Sequence, residues 1–154
     1  MTCTISLYDR AGDRHHTIYL GATPEHGKHR FCERMEREIA HVKQLYPQAR
    51  WIGIAGGALG NWEFLGPHVD EQVLDFYHAS EYVTQAADAL FEGRAAAERK
   101  AWLEQSCSSH KHDWDGAARR LLPWKQIGTR DCKKERSKPL AESMRYFENH
   151  PHQM

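Results

Sequence analysis

The sequence predicts an α/β fold, and three observations carry that expectation. Short segments rich in β-branched and aromatic residues flank a long helical pattern, one apolar segment runs straight into a glycine turn, and beyond residue 78 only helical periodicities follow. The 154 residues suffice for one domain with a core of its own, or for part of a larger one.

Cys3, Ile5 and Leu7 alternate with Thr4, Ser6 and Tyr8, and residues 16–20 again read as strand after the loop Asp9-Arg10-Ala11-Gly12-Asp13. The pair predicts an antiparallel hairpin with a glycine-containing loop. Thr23 and Pro24 offer a helix start, unless the helix begins after Gly27. Phe31, Met35, Ile39, Val42 and Tyr46 then recur at helical spacing among charged residues, an amphipathic helix that Pro47 ends.

Residues 50–54 predict a strand apolar on both sides, as a central parallel strand requires. It leads into Ala55-Gly56-Gly57-Ala58, with at most a short helix over 61–65 closed by Gly66-Pro67. Another short strand is expected within 69–77. Val83, Ala86, Ala87, Leu90 and Phe91 mark a helix face, residues 95–105 continue as helix, and residues 113–122 give a shorter one. Residues 123–138 read as loop or weak helix, and Pro139 introduces a last amphipathic segment with Leu140, Met144 and Phe147.

Lys+Arg and Asp+Glu both number 21, so global charge gives no argument for a polyanionic partner. Locally the balance differs. Residues 119–138 hold Arg119, Arg120, Lys125, Arg130, Lys133, Lys134, Arg136 and Lys138 against only Asp131 and Glu135. This run reads as a solvated loop, with contact to a DNA backbone as the functional alternative. No apolar run approaches the roughly 20 residues of a membrane span, and the first residues lack a signal-peptide layout, so a cytoplasmic protein without a membrane partner is expected. Cys3, Cys32, Cys107 and Cys132 form no C-x-x-C pair and read as free thiols. Cys107, His110 and His112 have a spacing that could hold zinc, but no second ligand pair follows unless Cys132 folds back; a polar loop between helices is the alternative.

Residues 17–20, Pro24-Glu25, the charged helix to Tyr46-Pro47, Gly57-Ala58, Asn61-Trp62 and Leu74-Asp75-Phe76-Tyr77-His78-Ala79 together resemble bacterial insertion-sequence transposases of the DDE type, in a group related to the mutator-like superfamily. The resemblance covers most of the chain. It implies a partial ribonuclease H-like core over 1–78 (hairpin, helix, two further strands), an all-helical insertion with the basic segment over 79–138, and the start of a further helix over 139–154. It further implies DNA transposition by metal-dependent phosphoryl transfer, with Mg²⁺ as cofactor and the insertion-sequence ends as partner.

Position by position, the chain departs from that family three times. The family's first strand and its Asp would precede Met1, its second Asp falls on Gly56, and its late Gly-Ser-Gly turn and Glu would follow Met154. None of the three triad carboxylates is present. Two Mg²⁺ ions roughly 3.5–4 Å apart need hard oxygen ligands, and glycine at the shared position supplies none. The expectation is therefore a truncated, catalytically inactive chain whose open strand edges compromise folding, or a regulatory module that binds DNA or a full-length transposase. Asp75 and His78 match a second motif of the resemblance. At a strand end they could position a ligand or DNA, or Asp75 could cap the next helix with His78 packed beneath. A third possibility is a metal nuclease rebuilt from Asp70, Asp75 and His78.

Overall fold

Alternation of apolar and polar residues makes the first element a hairpin, β1 (Thr2–Tyr8) and β2 (Arg14–Gly21). The computed structural model of the chain describes residues 1–23, 27–91, 96–112, 137–151 and 153. β1 and β2 pair antiparallel with Ile5 opposite Ile18 and Cys3 opposite Leu20, and the register slips at Leu7/Tyr8. Ile5 and Leu20 are buried, and Ser6 and Thr17 on the other face exchange a hydroxyl hydrogen bond of 3.0 Å. The loop is fixed by Asp9, whose Oδ1 accepts the amides of Ala11 and Asp13 at 2.9 Å each, while Gly12 takes the left-handed conformation (φ 90°).

α1 spans Gly27–Leu45; residues 24–26, where the earlier of the two helix starts would fall, lie outside the described residues. It buries Phe31, Met35, Ile39 and Val42; Tyr46, one residue past its end, is 48% exposed. These elements make up the first of two compact units, Met1–Arg50.

The second unit, Trp51–Met154, opens with β3 (Ile52–Ala55), then α2 (Leu59–Leu65) and β4 (Glu71–Leu74). β3 and β4 pair parallel, Ile52 opposite Glu71 through Ala55 opposite Leu74. The strand expected within 69–77 is thus shorter, because Asp75 ends it and starts a helix. Nor is β3 apolar-packed on both sides. Gly53 is buried, and a Cβ there would sit 3.1–3.3 Å from Val69 and Leu65, but Ile52 and Ile54 are 51% and 66% exposed. The hairpin and the β3–β4 pair form two separate two-stranded sheets.

Helices supply the core of this unit. α3 (Phe76–Phe91) packs with both α4 (Ala96–His112) and α5 (Ser137–Glu148). Ala79, Val83, Ala86 and Leu90 of α3 meet Leu140, Tyr146 and Phe147 of α5 and Trp62 of α2 in one buried cluster. Alanines on α3 let the aromatic side chains of α5 approach closely, and Tyr82 stacks on Tyr146 with ring centroids 3.7 Å apart. α4 extends through His112, so Cys107, His110 and His112 lie on a helix and not in a loop. The compact units divide the chain after Arg50, whereas the sequence division fell at 78 and 138. The short helix expected over 113–122 and the segment 123–136 lie outside the described residues. Among the described residues the chain is mixed α/β, and no helix is long and apolar enough to cross a membrane.

Candidate functional site

The carboxyl end of β3 is where sequence and structure place the most chemistry. A parallel pair leaves its last carbonyls and the following turn beyond the sheet, where side chains from the next strand and helix converge. Ala58 N–H donates to Gly56 O at 2.9 Å, closing the glycine turn, and Asn61 Nδ2 reaches the same oxygen at 3.4 Å. Asp75 arrives from β4 at the same level, its N–H donating to Ala55 O at 2.9 Å.

Asp75 is held on both carboxylate oxygens. Oδ1 accepts the Tyr77 amide at 2.8 Å, which makes Asp75 the N-cap of α3, and Oδ2 lies 3.1 Å from Nδ1 of His78. Partial burial opposes the carboxylate charge, but the Tyr77 amide and the His78 ring outweigh it and hold Asp75 below its ordinary range. The capping role foreseen for Asp75 is thus present. His78 differs from the packed position considered for it: its side chain is 59% exposed. Its ring lies over Gly56, where a Cβ would sit 3.2 Å from Cδ2, 3.3 Å from Cγ and 3.4 Å from Nε2.

Gly57 is enclosed from the other side. A Cβ on it would fall 2.5 Å from Cε2 of Tyr146 and 2.7 Å from Cε1 of His150, so only glycine fits. His150, two residues past the end of α5 and 6% exposed, brings Nδ1 to 2.6 Å from Tyr146 O and Nε2 to 3.0 Å from Gly57 O. Its ring also lies 4.9 Å from that of Tyr146 and 6.0 Å from that of Trp62. The Tyr146 hydroxyl is buried without a hydrogen-bond partner; desolvation, followed by Tyr82, pushes its pKa up to about 12, and the nearby Gly57 amide opposes the shift without satisfying the oxygen. Sequence reasoning passed over Tyr146 and His150. No periodicity pointed to the pair: Tyr146 lies on α5, and His150 lies two residues past its end.

The remaining candidate residues fall elsewhere. Asp70 caps the opposite end of the strand pair, accepting Trp51 N–H at 2.7 Å. Five residues of extended chain separate it from Asp75, roughly 16 Å. The nuclease assembled from Asp70, Asp75 and His78 is therefore ruled out by geometry. Cys107 packs against the buried cluster, and His110 stacks on Phe76 (23° between planes) and meets Phe147 edge-on, with burial lowering its pKa. His112 is five residues on from Cys107 and so points away from it on the helix, which removes the three-ligand zinc set. Cys3, Cys32 and Cys107 are free thiols. Among the described residues no three His, Cys, Asp or Glu side chains gather in a set that could hold a metal ion. At the glycine turn, Gly56 offers no side-chain oxygen and both oxygens of Asp75 are already engaged. The residues gathered there do not fit a magnesium pair. Arg119, Arg120, Lys125, Arg130, Lys133 and Lys134 lie outside the described residues.

No family model matches the chain, and no curated protein or solved structure matches it.

Proposed function

We propose that this chain is a segment of an insertion-sequence transposase, carrying part of a ribonuclease H-like core and lacking catalytic activity itself. One observation carries the reading: Asp75 and His78, the second motif of the resemblance, are hydrogen-bonded to each other, and the His78 ring lies over Gly56, the position where that family keeps a metal-binding aspartate. Two motifs separated in sequence thereby share one strand end, as a common site requires. With Gly56 in the bridging position, the chain has no carboxylate to place between two ions, and transfer of a phosphodiester has no means of charge stabilisation there.

The activity expected of the chain is binding, to the insertion-sequence ends through the basic run or to a full-length transposase. The test pairs two assays on the purified chain. Mg²⁺- or Mn²⁺-dependent nicking of supercoiled plasmid is expected to be absent; nicking that disappears in Asp75→Ala would overturn the inactive assignment. Duplex DNA binding should weaken with salt, and Lys133→Glu with Lys134→Glu should weaken it further and flatten the salt slope by about two. Binding that ignores both changes would remove DNA as the partner and leave the transposase-binding alternative.

A further inference from the structure

We propose that the open edge of β3 pairs with β3 of a second copy of this chain, antiparallel about Gly53, so that two β3–β4 pairs become one four-stranded sheet. The direction of the main-chain groups sets up the edge. Trp51 O accepts the amides of Asp70 and Glu71, and Ala55 O accepts that of Asp75, so these two carbonyls face β4. Main-chain groups alternate sides along a strand. Those of Gly53 therefore face β4 as well, and the N–H and C=O of Ile52 and Ile54 face away from it. Among the described residues nothing pairs with them on that side, and both isoleucines are more than half exposed.

Three features select a second copy as the occupant. The edge is self-complementary: a two-fold axis at Gly53 sets Ile52 opposite the second copy's Ile54, and Ile54 opposite its Ile52. Each of these pairs exchanges two N–H···O bonds, four in all, because the groups facing the edge belong to these residues. Gly53 meets Gly53 at the non-hydrogen-bonded position, where the strands come closest, about 4.5 Å between Cα atoms. The four isoleucines then share one sheet face as β-branched cross-strand pairs. The edge is also unguarded. β3, Ile-Gly-Ile-Ala, has no charge, proline or bulge to discourage pairing, whereas the hairpin has Arg14 at the start of β2 and the slipped register at Leu7/Tyr8. Lastly, the pairing closes. At the far edge of β4 the Leu74 amide already donates to Gln153 O, which caps growth there and gives a two-fold dimer, not a filament. Strands of four residues make a small contact, so the dimer is weak and forms at high protein concentration.

Oxidative cross-linking of the full chain tests the register. Ile52→Cys and Ile54→Cys each change an exposed side chain. In the dimer, position 52 faces position 54 with Cα atoms about 5.5 Å apart, within disulfide reach, whereas like positions are diagonal at about 7–8 Å or more and outside it. At about 500 μM the two variants mixed should give disulfide-linked dimer roughly fivefold above either variant alone and above the parent, whose own thiols set the background. Equal yields in all four samples refute the pairing. Sedimentation velocity is the second arm. The parent should shift from monomer toward dimer between about 5 and 500 μM, while Ile54→Pro, which removes two of the four hydrogen bonds and none to β4, should stay monomeric. A parent that is monomeric throughout, or an Ile54→Pro chain that associates as the parent does, overturns the proposal. Should Ile54→Pro not fold, the cross-linking yields and the parent's sedimentation decide.

Discussion

Gly57→Ala is the sharpest perturbation this structure offers. The added methyl would lie 2.5 Å from Tyr146 Cε2, 2.7 Å from His150 Cε1 and 3.0 Å from His150 Nε2. Neither neighbour can yield cheaply. Tyr146 is sandwiched against Tyr82 at 3.7 Å, and His150 is tied to two carbonyls, one of them that of Gly57. Relief therefore means over-packing strain together with loss of the His150–Gly57 hydrogen bond, roughly 2–4 kcal/mol. For a chain of this size that is a fall in Tm of roughly 4–16 °C. Gly56→Ala is the control, since its methyl meets only the exposed His78 ring at 3.2–3.4 Å. A small displacement of that ring and the entropic gain of replacing glycine should leave stability within about 0.5 kcal/mol. Gly53→Ala, facing Leu65 and Val69 at 3.1–3.3 Å, should fall between, near 1 kcal/mol. All five tryptophans lie in the Trp51–Met154 unit, so fluorescence-detected urea unfolding reports this unit alone. If Gly57→Ala and Gly56→Ala unfold within about 1 kcal/mol of each other, the packing of Tyr146 and His150 over the turn is wrong.

Three further changes probe the same region and the sheets. Asp75→Ala removes the α3 cap and should cost about 0.5–2 kcal/mol at pH 7. Because Asp75 sits below its ordinary range in the fold, that contribution is present above the unfolded carboxylate value and is lost as pH falls through the folded one. The variant should therefore show a shallower acid limb than the parent in a pH series of melts, and parallel limbs would contradict the cap. Gly56→Asp should not produce Mg²⁺-dependent nicking, because the nearest carboxylate, Asp75, already has both oxygens engaged by the Tyr77 amide and His78; nicking by this variant would show that one added carboxylate suffices. Ile54→Lys places a charge on the exposed face of β3 and should slow aggregation measured by light scattering, whereas a parent chain that melts cooperatively at about 45–65 °C without aggregating would refute the expected cost of open strand edges.

The hairpin, α1 and α5 were legible because each carries its own periodicity: Ile5 with Leu20, Phe31 through Val42, and Leu140 with Phe147 are buried as their spacing requires. The Asp75 cap was one of two readings open to the sequence, and the Tyr77 amide on its Oδ1 decides for it. α4 was misjudged over residues 106–112 because polar residues in a helix with little buried surface look like a loop; only Ser106 there is fully buried. Ile52 and Ile54 read as core because apolar composition marks a strand that can be covered on both faces, but not whether anything covers it.

Sequence alone determined the elements and the residue at each key position, above all that position 56 carries no ligating side chain. Only the tertiary structure decided what surrounds that glycine. His78 over Gly56, Tyr146 and His150 over Gly57, and Asp70 at the far end of the strands are consequences of how β3, β4, α3 and α5 pack. Contacts spanning up to 93 residues depend on closing the chain on itself, and periodicity within one element holds no information about its partner.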